Sequence, residues 1–345
     1  MKNLLIITQK VDKNDQLLGF FIAWIAYFAQ KFDKVTVLCL EKGEFNLPPN
    51  VKVESFGKNR GASKLKQLFN FYFLVSTLRK DYDTVFVHMN PIWVIVGGLW
   101  WRMTNKKIFF WYTSGGVTMK LKLAEKFADT IFTASPESFR VPSKKVIITG
   151  HGIDTGVFAP ANHKSQITNN KLKILSVGRI SPVKNYEILV DAAKILADRN
   201  VDFLITMIGE APLERDKNYE KSLRFKVKSL NLEDNFNFVG KVNNKDLPAY
   251  YQSHDLFVHL SKTGSLDKTI LEAMSCGMRV LSSNDASKSF LPQNLIFDDK
   301  NSEELANKII VLKDLEPSPG LREYVMQNHN LDNLINKIAK IVNER

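Results

Sequence analysis

The sequence is short of several things that would place a protein in a familiar class. It has two cysteines, Cys39 and Cys276, both in apolar stretches. That excludes a disulfide-stapled scaffold and points to a reducing compartment. Histidines are few; His151, between Gly150 and Gly152, has no second His or Cys at ligand spacing and reads as a turn contact, and no metal site is expected. The longest apolar run is residues 92–101, half of the roughly 20 residues a membrane span needs. The four apolar residues at 4–7 are too few for the core of a signal peptide. No G-x-G-x-x-G follows the first strand and no Walker loop is present, which argues against a dinucleotide oxidoreductase and a P-loop nucleotidase.

Acid is also in short supply, on one side only. Lys and Arg number 48 against 36 Asp and Glu, a net charge of +12. Residues 1–160 carry 22 cations and 12 acids; residues 161–345 carry 26 and 24. The excess therefore sits in the first half and suggests a polyanionic neighbour there: an anionic membrane surface, a phosphorylated ligand or nucleic acid. Nucleic acid is the weakest of the three, since no recognised binding motif accompanies the charge. At 44% hydrophobic and 24% charged, the chain is otherwise ordinary globular protein long enough for two domains.

Short apolar strands alternate with helical stretches from residue 4 to about 148, and again from 172 to about 313, with a last helix over 331–343. Such alternation predicts parallel β-α-β units covered on both faces, an α/β fold of two doubly wound domains. Residues 155–170, rich in Gly, Pro, Ser and Asn, read as the connection. In open parallel sheets ligands gather beyond the carboxyl ends of the strands, so two such domains make a cleft between them the expected site.

The segment Val177-Gly178-Arg179-Ile180-Ser181-Pro182-Val183-Lys184-Asn185 places two cations on the loop between a strand and a helix. Gly178 permits the tight turn, Arg179 can hold phosphate oxygens in pairs, Lys184 adds a point charge, and the helix amino end adds its own partial charge. The alternative is a pair of solvated loop cations. A second loop, Gly264-Ser265-Leu266-Asp267-Lys268-Thr269, enters a helix whose backbone N–H groups at Leu266, Asp267, Lys268 and Thr269 can meet an anion. Glu272 lies among Ile270, Leu271, Ala273 and Met274 on that helix. A carboxylate in so apolar a setting needs a partner, and the paired hydroxyls of a ribose would serve. Asp81-Tyr82-Asp83 offers a D-x-D pair, but it stands at the amino end of its strand, away from where ligands collect.

Taken together, residues 172–283 resemble the retaining glycosyltransferases of family 4, which have the GT-B fold. The matching pieces are Val177-Gly178-Arg179 with Lys184-Asn185, Met207-Ile208-Gly209-Glu210, Phe238-Val239-Gly240, Asp255-Leu256-Phe257-Val258 and Leu271-Glu272-Ala273-Met274. Gly150-His151-Gly152-Ile153-Asp154 looks like that family's entry into the interdomain connection. The resemblance implies a Rossmann-like acceptor-side domain over 1–158, a linker over 159–171 and a donor domain over 172–327. A terminal helix, 328–345, would cross back to the first domain.

It further implies that Arg179 and Lys184 carry catalysis by gripping the diphosphate of a nucleotide-sugar. Glu272 would hold the ribose, Gly209, Glu210, Lys241 and Val242 would lie by the nucleoside, and Gly19 would let the backbone approach the diphosphate and the transferred sugar. Sugar transfer would proceed with retention and without a metal or other cofactor, the nucleotide-sugar being a substrate. Independently of the resemblance, the basic, aromatic first half suggests a glycan or lipid-linked acceptor and an enzyme that is cytoplasmic and peripheral at the inner face of the membrane.

Two positions depart from the pattern. Gly264 stands where the family usually has a sugar-binding Glu; Asp267 or Ser265 can stand in, or the sugar is held differently. Ser114 stands where a histidine often lies, and His88, after the strand at 84–87, is a second candidate for the sugar or acceptor side. These departures keep open a nucleotide-sugar-binding relative that has lost catalysis, or an epimerase or hydrolase of the same shape. Finally, residues 58–80 interleave Lys and Arg with Leu, Phe and Tyr, a composition suited to lying on anionic lipid and equally to a helix packed on the sheet with a charged edge.

Overall fold

A computed structural model describes residues 2–161, 171–261 and 264–344. Most of the expected linker, residues 162–170, therefore lies outside the described residues. The chain divides into two compact units. The first is Met1–Asp154 with Asn243–Lys245 and His329–Arg345; the second is Thr155–Val242 with Asp246–Asn328.

In the first unit the order is β1 (Leu4–Val11), α1 (Phe21–Ala29), β2 (Val35–Lys42), β3 (Val51–Ser55), α2 (Lys64–Thr77), β4 (Thr84–His88), α3 (Pro91–Met103), β5 (Lys107–Trp111), α4 (Met119–Phe127), β6 (Thr130–Thr133) and β7 (Val146–Ile148). The second unit follows with β8 (Leu172–Val177), α5 (Tyr186–Asp198), β9 (Phe203–Ile208), α6 (Glu214–Ser229), β10 (Phe236–Gly240), α7 (Leu247–Ser253), β11 (Leu256–His259), α8 (Lys268–Ser275), β12 (Arg279–Ser282), α9 (Ser302–Lys313) and α10 (Pro319–Asn328). Helix α11 (Leu331–Glu344) belongs to the first unit.

The first sheet runs β3-β2-β1-β4-β5-β6-β7 and the second β10-β9-β8-β11-β12, with every pairing parallel. Strand alternation divides the first unit's core into two layers. Leu4 and Ile6 point to the face covered by α1 and α11; Leu5 and Ile7 point to the face covered by α2, α3 and α4. Helix α11 buries Leu331, Leu334, Ile335, Ile338, Ala339 and Val342 at three- and four-residue spacing, so one stripe of it completes the first core. Next to it, Leu331 donates its N–H to the Ile153 carbonyl at 2.9 Å, and Lys2 donates from Nζ to the Val342 carbonyl at 3.0 Å.

Several elements differ from the reading of the sequence. Strand β1 runs on through polar Thr8, Gln9 and Lys10 because β2 continues to pair with it, Thr8 to Cys39 and Lys10 to Glu41. Helix α1 starts at Phe21, after a loop in which the Asp15 carboxylate accepts the N–H groups of Leu17 and Leu18. Helix α6 begins five residues earlier than the apolar periodicity indicates, its first turn carrying Glu214 and Asp216. Helix α10 is new, in a stretch left without an element between 313 and 331; Pro319 is its first residue, where a missing N–H costs nothing. Arg322 on α10 then ties the segment 155–158 to α8, donating to the carbonyls of Thr155 and Phe158, each at 3.3 Å, and to that of Ser275. In the D-x-D segment, Asp81 pairs with Lys34 at 3.3 Å and Asp83 accepts the Asn3 N–H at 2.8 Å.

Candidate functional site

In the second unit four parallel strands end on one edge, and the residues after them form a single stitched surface. Gly178 donates its N–H to the Ile208 carbonyl at 2.9 Å, Ile180 to Glu210 at 3.0 Å, and Gly209 to Gly240 at 2.8 Å. The approach is close enough to require glycine. A Cβ on Gly209, whose φ is +142°, would lie 1.9 Å from the Gly178 carbonyl oxygen. Glu210 and Lys241 are exposed on this edge, and Val242 is buried beside them.

Lys184 ends a single 3₁₀ turn, Pro182–Lys184, before α5. Asn185 takes the left-handed conformation there and its amide donates to the Asp299 carbonyl at 2.7 Å, which fixes the turn. Lys184 is buried and lies back across Gly178: a Cβ on that glycine would stand 3.1 Å from Lys184 Cε. Arg179, the next residue along, is exposed and has no polar partner among the described residues.

The Lys184 ammonium is bonded to Asp267 Oδ2, and the same oxygen lies 3.0 Å from His259 Nε2. Burial alone would raise the Asp267 carboxyl, but the Lys184 charge and the His259 hydrogen bond hold it well below the usual carboxylate range. Burial lowers the His259 ring, with Asp267 opposing, so the ring is neutral near pH 7. An ionised carboxylate only accepts, which assigns the His259 proton to Nε2. Asp267 thus precedes α8 without capping it, and the amino end of that helix carries no side-chain cap. The Thr269 hydroxyl, in its first turn, is buried and has no hydrogen-bond partner among the described residues. Leu266 is buried under the loop. His259 was not singled out in the sequence; its signal was a histidine at a strand's carboxyl end, eight residues before an aspartate at the start of a helix.

Glu272 does have the partner its apolar setting demands, but an internal one. Its Oε2 accepts the Tyr251 hydroxyl at 2.9 Å, and the Lys268 ammonium stands 2.8 Å from Oε1, one turn back on α8. The carboxylate is 1% exposed.

The first unit holds the other three candidates. Gly19 donates its N–H to the Asp15 carbonyl, and a Cβ there would meet that oxygen at 2.5 Å, so its own loop requires glycine. Ser114, after β5, donates its backbone N–H to the Ser138 carbonyl at 2.9 Å. His88 ends β4 in the core: its ring stacks on Phe21 at 4.0 Å and on Trp111 at 5.4 Å, and Nδ1 lies 3.2 Å from the Thr8 hydroxyl. Its Nε2 has no partner among the described residues. Burial, with His151 adding repulsion, lowers the His88 pKa to about 3. His329, which accepts the His151 N–H at 3.1 Å, is likewise lowered to about 3.

This arrangement has a pH signature. A folded-state pKa below the unfolded value near 6.5 means that the unfolded chain binds the proton first. The stability contributed by a neutral His88 is therefore full above pH 6.5 and drains away as pH falls toward 3, by about 1.4 kcal/mol per pH unit. His88→Phe, which keeps an aromatic ring in the stack, is expected to reduce the slope of the denaturation midpoint between pH 6.5 and 4, leaving the share that His329 contributes. An unchanged slope would remove His88 from the account.

Two Rossmann-like domains, with a cationic surface at the strand tips of the second, define the class of the GT-B glycosyltransferases. Anabaena HepE, solved in complex with UDP, shares the fold with a TM-score of 0.79 at 19% identity over 100% of both chains. The family model described as Glycosyl transferases group 1 matches residues 159–331, and the chain belongs to that family. Mannosylfructose-phosphate synthase of Agrobacterium fabrum is 36% identical over 106 residues, 30% of this chain and 23% of that protein. The UDP-Gal:alpha-D-GlcNAc-diphosphoundecaprenol alpha-1,3-galactosyltransferase of Escherichia coli is 28% identical over 163 residues, 45% of this chain and 40% of that protein. The chain thus spans less than half the length of these curated relatives.

Proposed function

We propose that the protein transfers a sugar from a nucleoside-diphosphate donor to a saccharide or lipid-linked acceptor, with retention at the anomeric carbon, as family 4 enzymes do. The observation that carries the reading is the pairing of a buried, oriented Lys184 with an exposed Arg179 beside the uncapped amino end of α8. Cleaving the bond between sugar and phosphate puts negative charge on the departing diphosphate. Fixed cations aimed at that charge lower the barrier more than they tighten substrate binding. In this reading they take the place a metal ion occupies in other transferases. Lys184 exchanges Asp267 for a phosphate oxygen as the donor enters, while His259 keeps hold of the released carboxylate. Gly209, Glu210, Lys241 and Val242 border the nucleoside, and Glu272 takes the ribose by giving up its contact with Lys268. Asp267 then stands beside the sugar, in the role Gly264 cannot fill, and Gly19, His88 and Ser114 belong to the acceptor side. The UDP held by Anabaena HepE and the UDP-linked donor in the name of the Escherichia coli relative favour a uridine nucleotide. A lipid-linked acceptor places the enzyme at the cytoplasmic face of a membrane.

The test is incubation with UDP- and GDP-sugars and a membrane extract, with and without EDTA, following nucleotide release and acceptor labelling together. Labelling that survives EDTA, with the product anomer matching the donor by NMR, is the expected result. Release without labelling means hydrolysis; binding with neither means a silent relative. Glu272→Gln, which can keep the Tyr251 bond, is expected to weaken nucleotide binding about 10-fold or more in calorimetric titration. Unchanged affinity would take Glu272 off the ribose.

A further inference from the structure

The first unit carries a surface that a water-facing domain does not need. Helices α2, α3 and α4 form one layer on the sheet: the Tyr72 hydroxyl on α2 donates to the Val96 carbonyl on α3 at 2.9 Å, and Arg102 on α3 lies over the Phe127 ring of α4 at 5.1 Å. The inner side of α2 is accounted for by buried Phe71 and Val75. Its outer side is apolar as well. Leu65, Phe69 and Phe73 are 56–80% exposed, and on the neighbouring helices Leu99, Met103 and Met119 are 63–78% exposed. A helix apolar on both sides has a second apolar neighbour to meet.

Charge says what that neighbour is. Residues 55–124 contain eleven Lys and Arg and only two acids, Asp81 and Asp83. Lys64, Lys66, Arg79, Lys80, Lys120 and Lys122 flank the exposed apolar residues, and none has an acidic partner among the described residues. Helix α6 in the second unit shows the contrast. It also exposes a phenylalanine, Phe225, but most of its cations are answered: Lys217 by Glu214, Arg224 by Glu220 and Lys226 by Asp191. A solvated helix balances its charges in this way, whereas a protein partner would present localised acids and a packed complementary face. Unbalanced cations around protruding Leu, Phe and Met suit a fluid, uniformly negative surface with an apolar interior.

We propose that the outer surface of the α2–α3–α4 layer docks on an anionic bilayer, with Leu65, Phe69 and Phe73 entering the headgroup boundary. No helix among the described residues is long and apolar enough to cross a membrane, so the attachment is lateral. The loop carrying Ser114 runs directly into Met119 at the start of α4, so the carboxyl edge of the first sheet adjoins the docking surface. The proposal gives the lipid-linked acceptor of the preceding section a route to that edge, but it does not depend on transfer, and empty vesicles test it without donor or acceptor.

The measurement is flotation of the full chain with phosphatidylcholine vesicles, alone or with about one third phosphatidylglycerol, at about 0.1 M and about 0.5 M NaCl. Binding at least about 10-fold stronger to the anionic vesicles, and weakened by salt, is expected. Lys64→Gln with Lys66→Gln should reduce the salt-sensitive part, and Phe69→Ser with Phe73→Ser what salt leaves. Phe225→Ser on α6 should change nothing. These side chains are exposed, so the variants should melt with the wild type; the salt series on the wild type decides independently of them. Wild type that stays with the aqueous fraction overturns the proposal, as does binding indifferent to lipid charge or to both pairs of substitutions. A dimer in light scattering that Phe69→Ser dissolves would assign the surface to a second copy instead, and overturn it too.

Discussion

Lys184→Ala is expected to lower turnover on the order of 100-fold, the scale for losing one preorganised group that meets charge developing in a transition state. The loss should appear in kcat more than in KM, because the diphosphate carries its extra charge only as the bond to the sugar breaks. The substitution also leaves Asp267 without the ammonium that keeps it ionised. Its carboxyl should rise toward or above the ordinary range, so activity remaining in the variant should fall off at a higher pH than in the wild type. Arg179→Ala is expected to match it in direction. Because Arg179 is exposed and engages no other described residue, its loss should cost no stability. Steady-state rates with the donor identified by the labelling assay check both, and wild-type turnover in either variant would withdraw its role.

Gly209→Ala should unfold or disorder the donor edge without touching a charge. A methyl group there would overlap the Gly178 carbonyl, an oxygen fixed on both sides by backbone pairing and unable to yield cheaply. Overpacking against backbone costs about 3 kcal/mol or more. For a unit of this size that is a fall in melting temperature of roughly 6–12 °C, with nucleotide binding lost alongside. Gly61→Ala, at a glycine with open space around it, provides the comparison: it too has a left-handed backbone but no clash, and should cost far less. Equal melting temperatures for the two would mean that the strand tips do not hold Gly178 where they are drawn.

Much of this was legible in the residues, for identifiable reasons. Strands such as β4 and β5 are buried on both faces, so they stand out as continuous apolar runs between helical stretches. That Gly178, Arg179 and Lys184 stand at a strand-to-helix junction was readable from where the apolar run stops; that Lys184 is buried against Asp267 while Arg179 is exposed was not. Helix α11 declared itself by spacing, since Leu331, Leu334, Ile335 and Ile338 can share a face only in a helix. What escaped depended on partners distant in sequence. The polar end of β1 is a strand only because β2 runs beside it, and Glu272 meets Tyr251, 21 positions away, which no local pattern announces. Its other neighbour, Lys268, lies one helical turn back, a spacing that carried the signal although the partner was sought in a ribose. His259 passed as the end of a strand because its significance lies in sharing one oxygen of Asp267 with Lys184. Gly19 was noticed for the right property, but in this loop the missing side chain makes room for the Asp15 carbonyl.

The return of α11 to the first sheet bears on how the protein is made. The first core includes Leu331 through Val342, which leave the ribosome after every residue of the second unit. During synthesis the amino-terminal half therefore waits with one face of its sheet covered by α1 alone, while the second unit, interrupted only at Asn243–Lys245, can close as soon as it emerges. The order of maturation is the reverse of the order of translation, and the exposed interval is a time of dependence on chaperones.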